Sequence, residues 1–458
     1  MQSRAALLVA LPLLFVAKVT WAQDVARPSI LFNRWQEDWS VLADPSVPHE
    51  AFDNLKYMPL ASDAYLSLGV NLRERFEGND AVEFGVGGTK PEDYVISRLE
   101  AHADLRVADF QVFVQLESAF APGKILLAPV DQDRLALEQA FVAYSTTIGD
   151  GTLRLRAGRQ QIAFDLQRFI SVRDGPNLRQ SYDALWVGYE LTEWEFSSFY
   201  SQPVQNRNLR IFDDYSSNHL TYGGVRVEYK PTENSSISAT LSQFKQNDAQ
   251  FPSISGNELR NILDVHHSGT VKGFDWDGEA MGQAGHIANE SIRAWAIGSR
   301  VGYTFTEATW SPRIGLQADA ASGNSNPHGG TFGTFNPLFP NGYYVTLSGY
   351  TGYTNFIHIK PSITLRPVPS LTVLLAAAPQ WRETTADAVY TQPDIGVPGT
   401  PGHGSSYTGT YFQTRFDWQI NPHLTAALEA VRFNVGDTIK GLGGHDGNYV
   451  GVEGKFGW

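Results

Sequence analysis

Guanidinium groups are the side chains of this chain best placed to do chemistry. Between Gly151 and Ser181, six arginines (Arg154, Arg156, Arg159, Arg168, Arg173 and Arg179) stand against two aspartates, Asp165 and Asp174. That segment carries a local charge of +4 in a chain whose formal charge is −13. Arginine keeps its charge at physiological pH and forks onto carboxylates through paired N–H donors. The pattern reads as a site for something anionic. Arg159, Arg173 and Arg179 are the leading candidates, with Gln160, Arg168, Asn177 and Asp183 in the same stretch. Arg73, Arg75 and Arg98 lie on strand-like segments nearer the N terminus, and Arg154 and Arg156 could face either way. The competing reading is structural: the same arginines would pair with acids such as Glu100, Glu117 or Asp183 and brace the fold.

Other motifs carry less. His266 and His267 are adjacent, so on a strand they point to opposite faces and do not share a metal ion. Gly85–Lys90 lacks the spacing of a phosphate-binding loop, and the glycine-rich run Gly441–Asn448 is a single copy with nothing to stack on. No nucleophile elbow is present. Ser97 and His102 share a segment at an odd separation, which places them on opposite faces. The chain therefore reads as a non-enzyme that needs no cofactor.

The elements that position the arginines are strands. Length alone, 458 residues, would suggest about three domains. A repeated alternation overrides it. In Leu66–Phe76 the positions Leu66, Leu68, Val70, Leu72 and Phe76 are apolar, while Ser67, Asn71, Arg73 and Arg75 are polar. Val225, Val227 and Tyr229 alternate with Arg226 and Glu228, and Phe412, Phe416, Trp418 and Ile420 with Gln413, Arg415, Asp417 and Gln419. Leu371–Trp381 is apolar on both faces, and Leu135–Thr146 fits two registers.

Short turns near Ala108, Thr147–Gly151, Thr192, Pro231–Ser235, Thr306–Ala308, Pro367–Ser370 and Asn421 separate longer loops at 78–93, 121–133, 162–181, 202–218, 321–352, 383–408 and 434–448. Short turns alternating with long loops are the pattern of outer-membrane barrels, and lipid-spanning strands of about 9–11 residues show this two-faced alternation. A first pass finds sixteen strands and a gap at 245–290 too long for a simple loop. A hairpin there, Arg260–His267 with Val271–Gln283, raises the count to eighteen. The expected fold is all-β: a transmembrane, antiparallel, up-and-down β-barrel over residues 64–458, after a periplasmic segment 23–63.

Met1–Ala22 has the form of a secretory signal peptide, with Arg4, an apolar run and a small-residue stop. Its removal takes Arg4 and Lys18 and moves the formal charge from −13 to −15, which argues against a nucleic-acid partner. There are no cysteines, so no disulfide framework holds an exported chain together. The final strand places Val450, Val452, Phe456 and the terminal Trp458 on one face, as in the C-terminal signal read by the barrel-assembly machinery of Gram-negative bacteria.

Three stretches resemble the alginate export family, whose best-known members are alginate porins. They are Phe52–Tyr57 with Tyr65–Glu77, the run 158–183, and Thr334–Pro340, TFNPLFP. The likeness runs from about Phe32 to the C terminus. It implies an eighteen-stranded barrel and an arginine-rich pore that passes a polyuronate. The leading expectation is a monomeric channel in outer-membrane lipid that exports an anionic polysaccharide, alginate or similar, in contact with a periplasmic scaffold of an export complex. The alternative is a selective porin for uptake of small anionic solutes.

Overall fold

The computed structural model describes residues 27–458, so the expected signal peptide, Met1–Ala22, lies outside the described residues. Eighteen long strands form one antiparallel barrel. The first six are β1 (Ala64–Asn79), β2 (Glu92–Val107), β3 (Phe110–Phe120), β4 (Asp133–Ile148), β5 (Gly151–Gln160) and β6 (Tyr182–Glu190). Then come β7 (Trp194–Pro203), β8 (Leu220–Thr232), β9 (Ser235–Gln250), β10 (Ser255–Val271), β11 (Phe274–Ile287) and β12 (Glu290–Thr304). The circuit ends with β13 (Arg313–Ala321), β14 (Phe356–Val368), β15 (Leu371–Trp381), β16 (Tyr407–Asn421), β17 (Leu424–Val435) and β18 (Gly447–Gly457). β1 pairs with β18, from Asn71 opposite Gly457 to Asn79 opposite Tyr449, and this closes the sheet. Closure is required in hydrocarbon, where an unpaired amide has no water to turn to.

Alternation fixes the faces. On β1, Leu72 and Phe76 are exposed outward, while Ser67, Arg73 and Arg75 are buried inward. The hairpin in the 245–290 gap exists, with different bounds from those the pattern suggests. Both its strands are longer, and Val271 belongs to the first of them. The reason is the turn: Lys272 and Gly273 both have positive φ, 48° and 85°, the two-residue geometry that matches strand twist. The two-register ambiguity of Leu135–Thr146 also has a cause. β3 and β4 slip register between Gln115 and Leu116 and again between Glu117 and Ala119, so the consecutive residues Glu138 and Gln139 are both buried.

Two of the long loops fold inward. Loop 161–181, between β5 and β6, meets loop 322–355, between β13 and β14, through a parallel bridge from Ile170 to Phe339. Phe169, Phe335, Phe339, Tyr344 and Tyr353 form an apolar cluster where they meet. The TFNPLFP run is part of this filling, not a strand.

The segment expected to be periplasmic packs against the inner wall at the end with the short turns. The Arg34 guanidinium donates to the Trp458 carbonyl at 2.8 Å, and Arg106 donates to the carbonyls of Trp35 at 3.1 Å and Glu37 at 2.6 Å. Trp35 lies edge-on to Phe141 on β4, with Arg156 over its ring. Phe32 reaches Arg179 of the inward loop, 4.3 Å from guanidinium to ring centre.

Candidate permeation site

Loop 161–181 crosses the barrel because buried charges hold it at both ends. At one end is Asp174. It accepts from Arg98 of β2, from Arg179 at 2.9 Å and from Lys455 of β18 at 3.0 Å, and Arg73 of β1 donates to its carbonyl at 3.0 Å. Burial alone would raise the Asp174 carboxyl, but Lys455, Arg98, Arg179 and Arg73 bring it well below the usual carboxylate range. Asn177 fastens the same end through its side-chain amide, donating to the carbonyls of Ser97, Phe120 and Asp131. At the other end Asp165 accepts two bonds from Arg226 of β8, at 2.6 and 2.8 Å, and lies 3.0 Å from His266 of β10. Burial would raise Asp165 as well; His266 and Arg226 bring it down to about 2. Arg168, mid-loop, is bound to Asp277 at 2.8 Å and to Glu279, both on β11, and lies over Tyr344.

Most of the candidate arginines are therefore braces. Arg75 is bound to Glu77 at 2.7 Å, Glu429 at 2.5 Å and the Tyr449 hydroxyl at 2.6 Å. Arg73 is bound to Glu453 at 2.7 Å, and Arg179 also to Glu100 at 2.8 Å. Arg154 and Arg156 both face inward; Arg154 pairs with Glu190, and Arg156 is stacked among Trp35, Phe141 and Trp186. Gln160 is buried inward and donates to the Ala184 carbonyl at 3.0 Å.

Arg159 and Asp183 correct the lumen-lining expectation. They are cross-strand partners joined at 2.8 Å, and Asp183 shares its face with Leu185, which is exposed on the outside of the barrel. Strand alternation puts Arg159 opposite the inward Gln160, so the pair lies on the outer flank at the long-loop end. Ser216 of loop 204–219 donates to Asp183 at 2.7 Å, and the pair anchors that loop.

Arg173 is different. Its guanidinium makes no hydrogen bond or ion pair among the described residues; only its backbone N–H is engaged, with Ser171. It is half-buried in the inward loop, in the left-handed conformation at φ 54°. Burial lowers its pKa, opposed by Tyr182 and Asp394, and as an arginine it stays a cation. Asp394, on loop 382–406, is lifted by burial to about 6, against a bond from Thr354 and the charge of Arg173.

Several members of this constellation are absent from the sequence-level set: Asp174, Lys455, Arg226, His266, Asp277, Glu279 and Glu453. Their signal was parity. Each strand member sits on the polar face of an alternating strand, but parity does not say which loop residue each would meet. His266 is buried inward and His267 exposed outward, as their adjacency requires. The acidic groups Glu100, Glu117 and Glu138, and Asp165, Asp264 and Glu279, each lie close enough to hold a metal ion. Both are already met by cations, Arg98 and Arg179 in the first and Arg168, Arg226 and His266 in the second.

A closed eighteen-stranded barrel with an apolar outer wall, a charged interior and inward-folded loops is an outer-membrane channel of the porin class. Solved structures share this fold. They include OccAB1 of Acinetobacter baumannii (TM-score 0.57, 12% identity, 88% of this chain and 99% of that one). OccD3 (OpdP) of Pseudomonas aeruginosa gives TM-score 0.55 at 12% identity, over 90% of this chain and 95% of that one. OccK2 (OpdF) of the same organism, solved in complex with glucuronate, gives TM-score 0.54 at 11% identity, over 86% and 96%. The chain belongs to the alginate export family, which matches residues 64–453. Among curated protein sequences, none matches it.

Proposed function

We propose that this channel exports an anionic polysaccharide, alginate or a similar polyuronate, and that Arg173 is the residue that meets its carboxylates. Membership of the alginate export family supports the substrate class. The observation that carries the reading is the Arg173 guanidinium, without a partner among the described residues, in an interior where the other arginines of the inward loop are paired. A buried charge without a partner costs several kcal/mol. It is tolerable where water or a passing anion reaches it, so Arg173 marks the wet path. A lone cation holds each carboxylate weakly, and a polymer held weakly can leave.

The second reading is uptake of small carboxylated solutes. It is favoured by the pinned loop 161–181, whose buried ion pairs leave it little freedom to swing aside for a polymer, and by the fold shared with a porin solved with glucuronate. Planar-bilayer recording with uronate oligomers of increasing length tests both. Export predicts anion preference, current block that deepens with oligomer length, and weakened block in Arg173→Gln. Block by the monosaccharide alone, fading with length, selects the uptake reading. Cation preference with no uronate block removes both.

A further inference from the structure

We infer that the wall of the barrel, at the long-loop end, holds a divalent-cation site of the Ca2+ type built from Asp133, Asp213 and Asp214. Asp133 opens β4, and Asp213 and Asp214 lie on loop 204–219. Candidate ligand oxygens of the three carboxylates all lie within 4.8 Å of one another. Two further acidic triads exist among the described residues, and arginines neutralise both. No ion pair closes on this one among the described residues. The nearby cation, Arg159, is spent on Asp183.

The orphan oxygens point to a ligand. Asp133 is fully buried, and its Oδ2 meets no donor among the described residues. Asp213 Oδ1 is buried and unpartnered in the same way. A buried carboxylate oxygen left without a donor in the folded state is costly. Meanwhile the other oxygen of each carboxylate is held by backbone. Asp133 Oδ1 accepts from Leu135 N–H at 2.9 Å and Asp214 Oδ1 from Arg207 N–H at 2.7 Å. Asp213 Oδ2 accepts from Leu209 and Arg210 N–H at 3.1 and 3.0 Å. The amides aim one edge of each carboxylate and leave the other for a cation.

The donor set is all oxygen, with no imidazole or thiolate, which suits a hard ion. Ca2+ accepts irregular carboxylate geometry completed by water, where Mg2+ demands a near-ideal octahedron. Sites of this kind outside the cell bind at ~10⁻⁴–10⁻³ M. The bound ion would clip loop 204–219 to β4. That loop exposes Leu209, Ile211 and Phe212.

The test uses the full-length protein refolded in detergent, free of lipopolysaccharide. Calcium titration by calorimetry is expected to give one site, weaker for Mg2+, and trypsin cleavage after Arg207 or Arg210 is expected to slow when the site fills. Asp213→Asn with Asp214→Asn is expected to weaken calcium binding at least about tenfold, since charge count tunes such sites. Glu117→Gln, in a neutralised triad, is expected to leave it unchanged. No binding by the parent protein at about 5 mM Ca2+, well above the expected range, overturns the assignment. So does equal affinity in the double variant, which would place the ion elsewhere. Carboxylates that share a proton instead would show as the first of these outcomes.

Discussion

A buried carboxylate surrounded by cations is worth most when one partner is removed, because the remaining charges are stranded. Asp174, itself half-buried, sits in a similar position, with Arg98 and Arg179 buried beside it and Lys455 half-exposed. Asp174→Asn is therefore expected to destabilise the folded barrel by about 3–5 kcal/mol, the range for breaking a buried pair from one side. Lys455→Met, which removes a partner that water can replace, is expected to cost about 1 kcal/mol or less. Urea unfolding in detergent micelles separates the two. Arg173 calls for a different experiment. Asp394 titrates near 6 and is the carboxylate that offsets it. Above that pH Asp394 is negative and damps the field of Arg173; below it Asp394 is neutral and the field is unopposed. Anion preference is expected to rise as pH falls through about 6, and Asp394→Asn is expected to hold it at the acid value throughout. Reversal potentials in a salt gradient from pH 5 to 8 measure this, and a parent whose selectivity is flat across that range would remove Asp394 from the pathway.

Among the elements, the inward loops and the N-terminal segment decide how much of the lumen is open. Loop 161–181 is held by a hydrogen bond from β1 and ion pairs to β2 and β18 on one side, and by ion pairs to β8, β10 and β11 on the other. It acts as a fixed crossbeam. The N-terminal segment is held to one side of the wall: Trp35 stacks on Phe141, Arg106 donates to the Trp35 and Glu37 carbonyls, Arg34 reaches Asn71 and the last residue of the chain, and Phe32 meets Arg179 of the inward loop. Removing residues 27–43 is expected to raise single-channel conductance while the barrel still assembles. The closing β1–β18 ladder does not include those residues, which sit below the Arg179 layer. Unchanged conductance in the truncated channel would show that current bypasses the segment.

At the scale of the whole molecule, an even number of strands puts both ends of the barrel on the same side, the side of the short turns. Cysteine labelling on intact cells checks it cleanly, because the chain has no cysteine of its own. A cysteine at His403, on loop 382–406, is expected to react from outside, and one at Asn421, beside a two-residue turn, is not. The reverse pattern would invert the barrel. The strands themselves were legible from residue order. Alternation is a local property, and lipid outside with water inside imposes it on every strand, so Leu72 and Phe76 declared one face and Arg73 and Arg75 the other. Where locality failed, the reading failed. The hairpin bounds around Lys272 depend on backbone dihedrals that side-chain type only suggests. The β3–β4 slips put Glu138 and Gln139 on one side, against simple alternation. Arg159 followed its strand's parity outward, although its place in an arginine-rich run suggested the pore. The pairing of the other arginines could not be read from order at all. Asp174 meets Lys455 across 281 residues of chain, and only closure of the barrel and inward folding of loop 161–181 bring them together. Sequence determined that this chain is a closed barrel with cations facing in. Tertiary structure decided which of those cations are neutralised, because neutralisation depends on contacts between residues far apart in the chain, and among the described residues it left Arg173 without a partner.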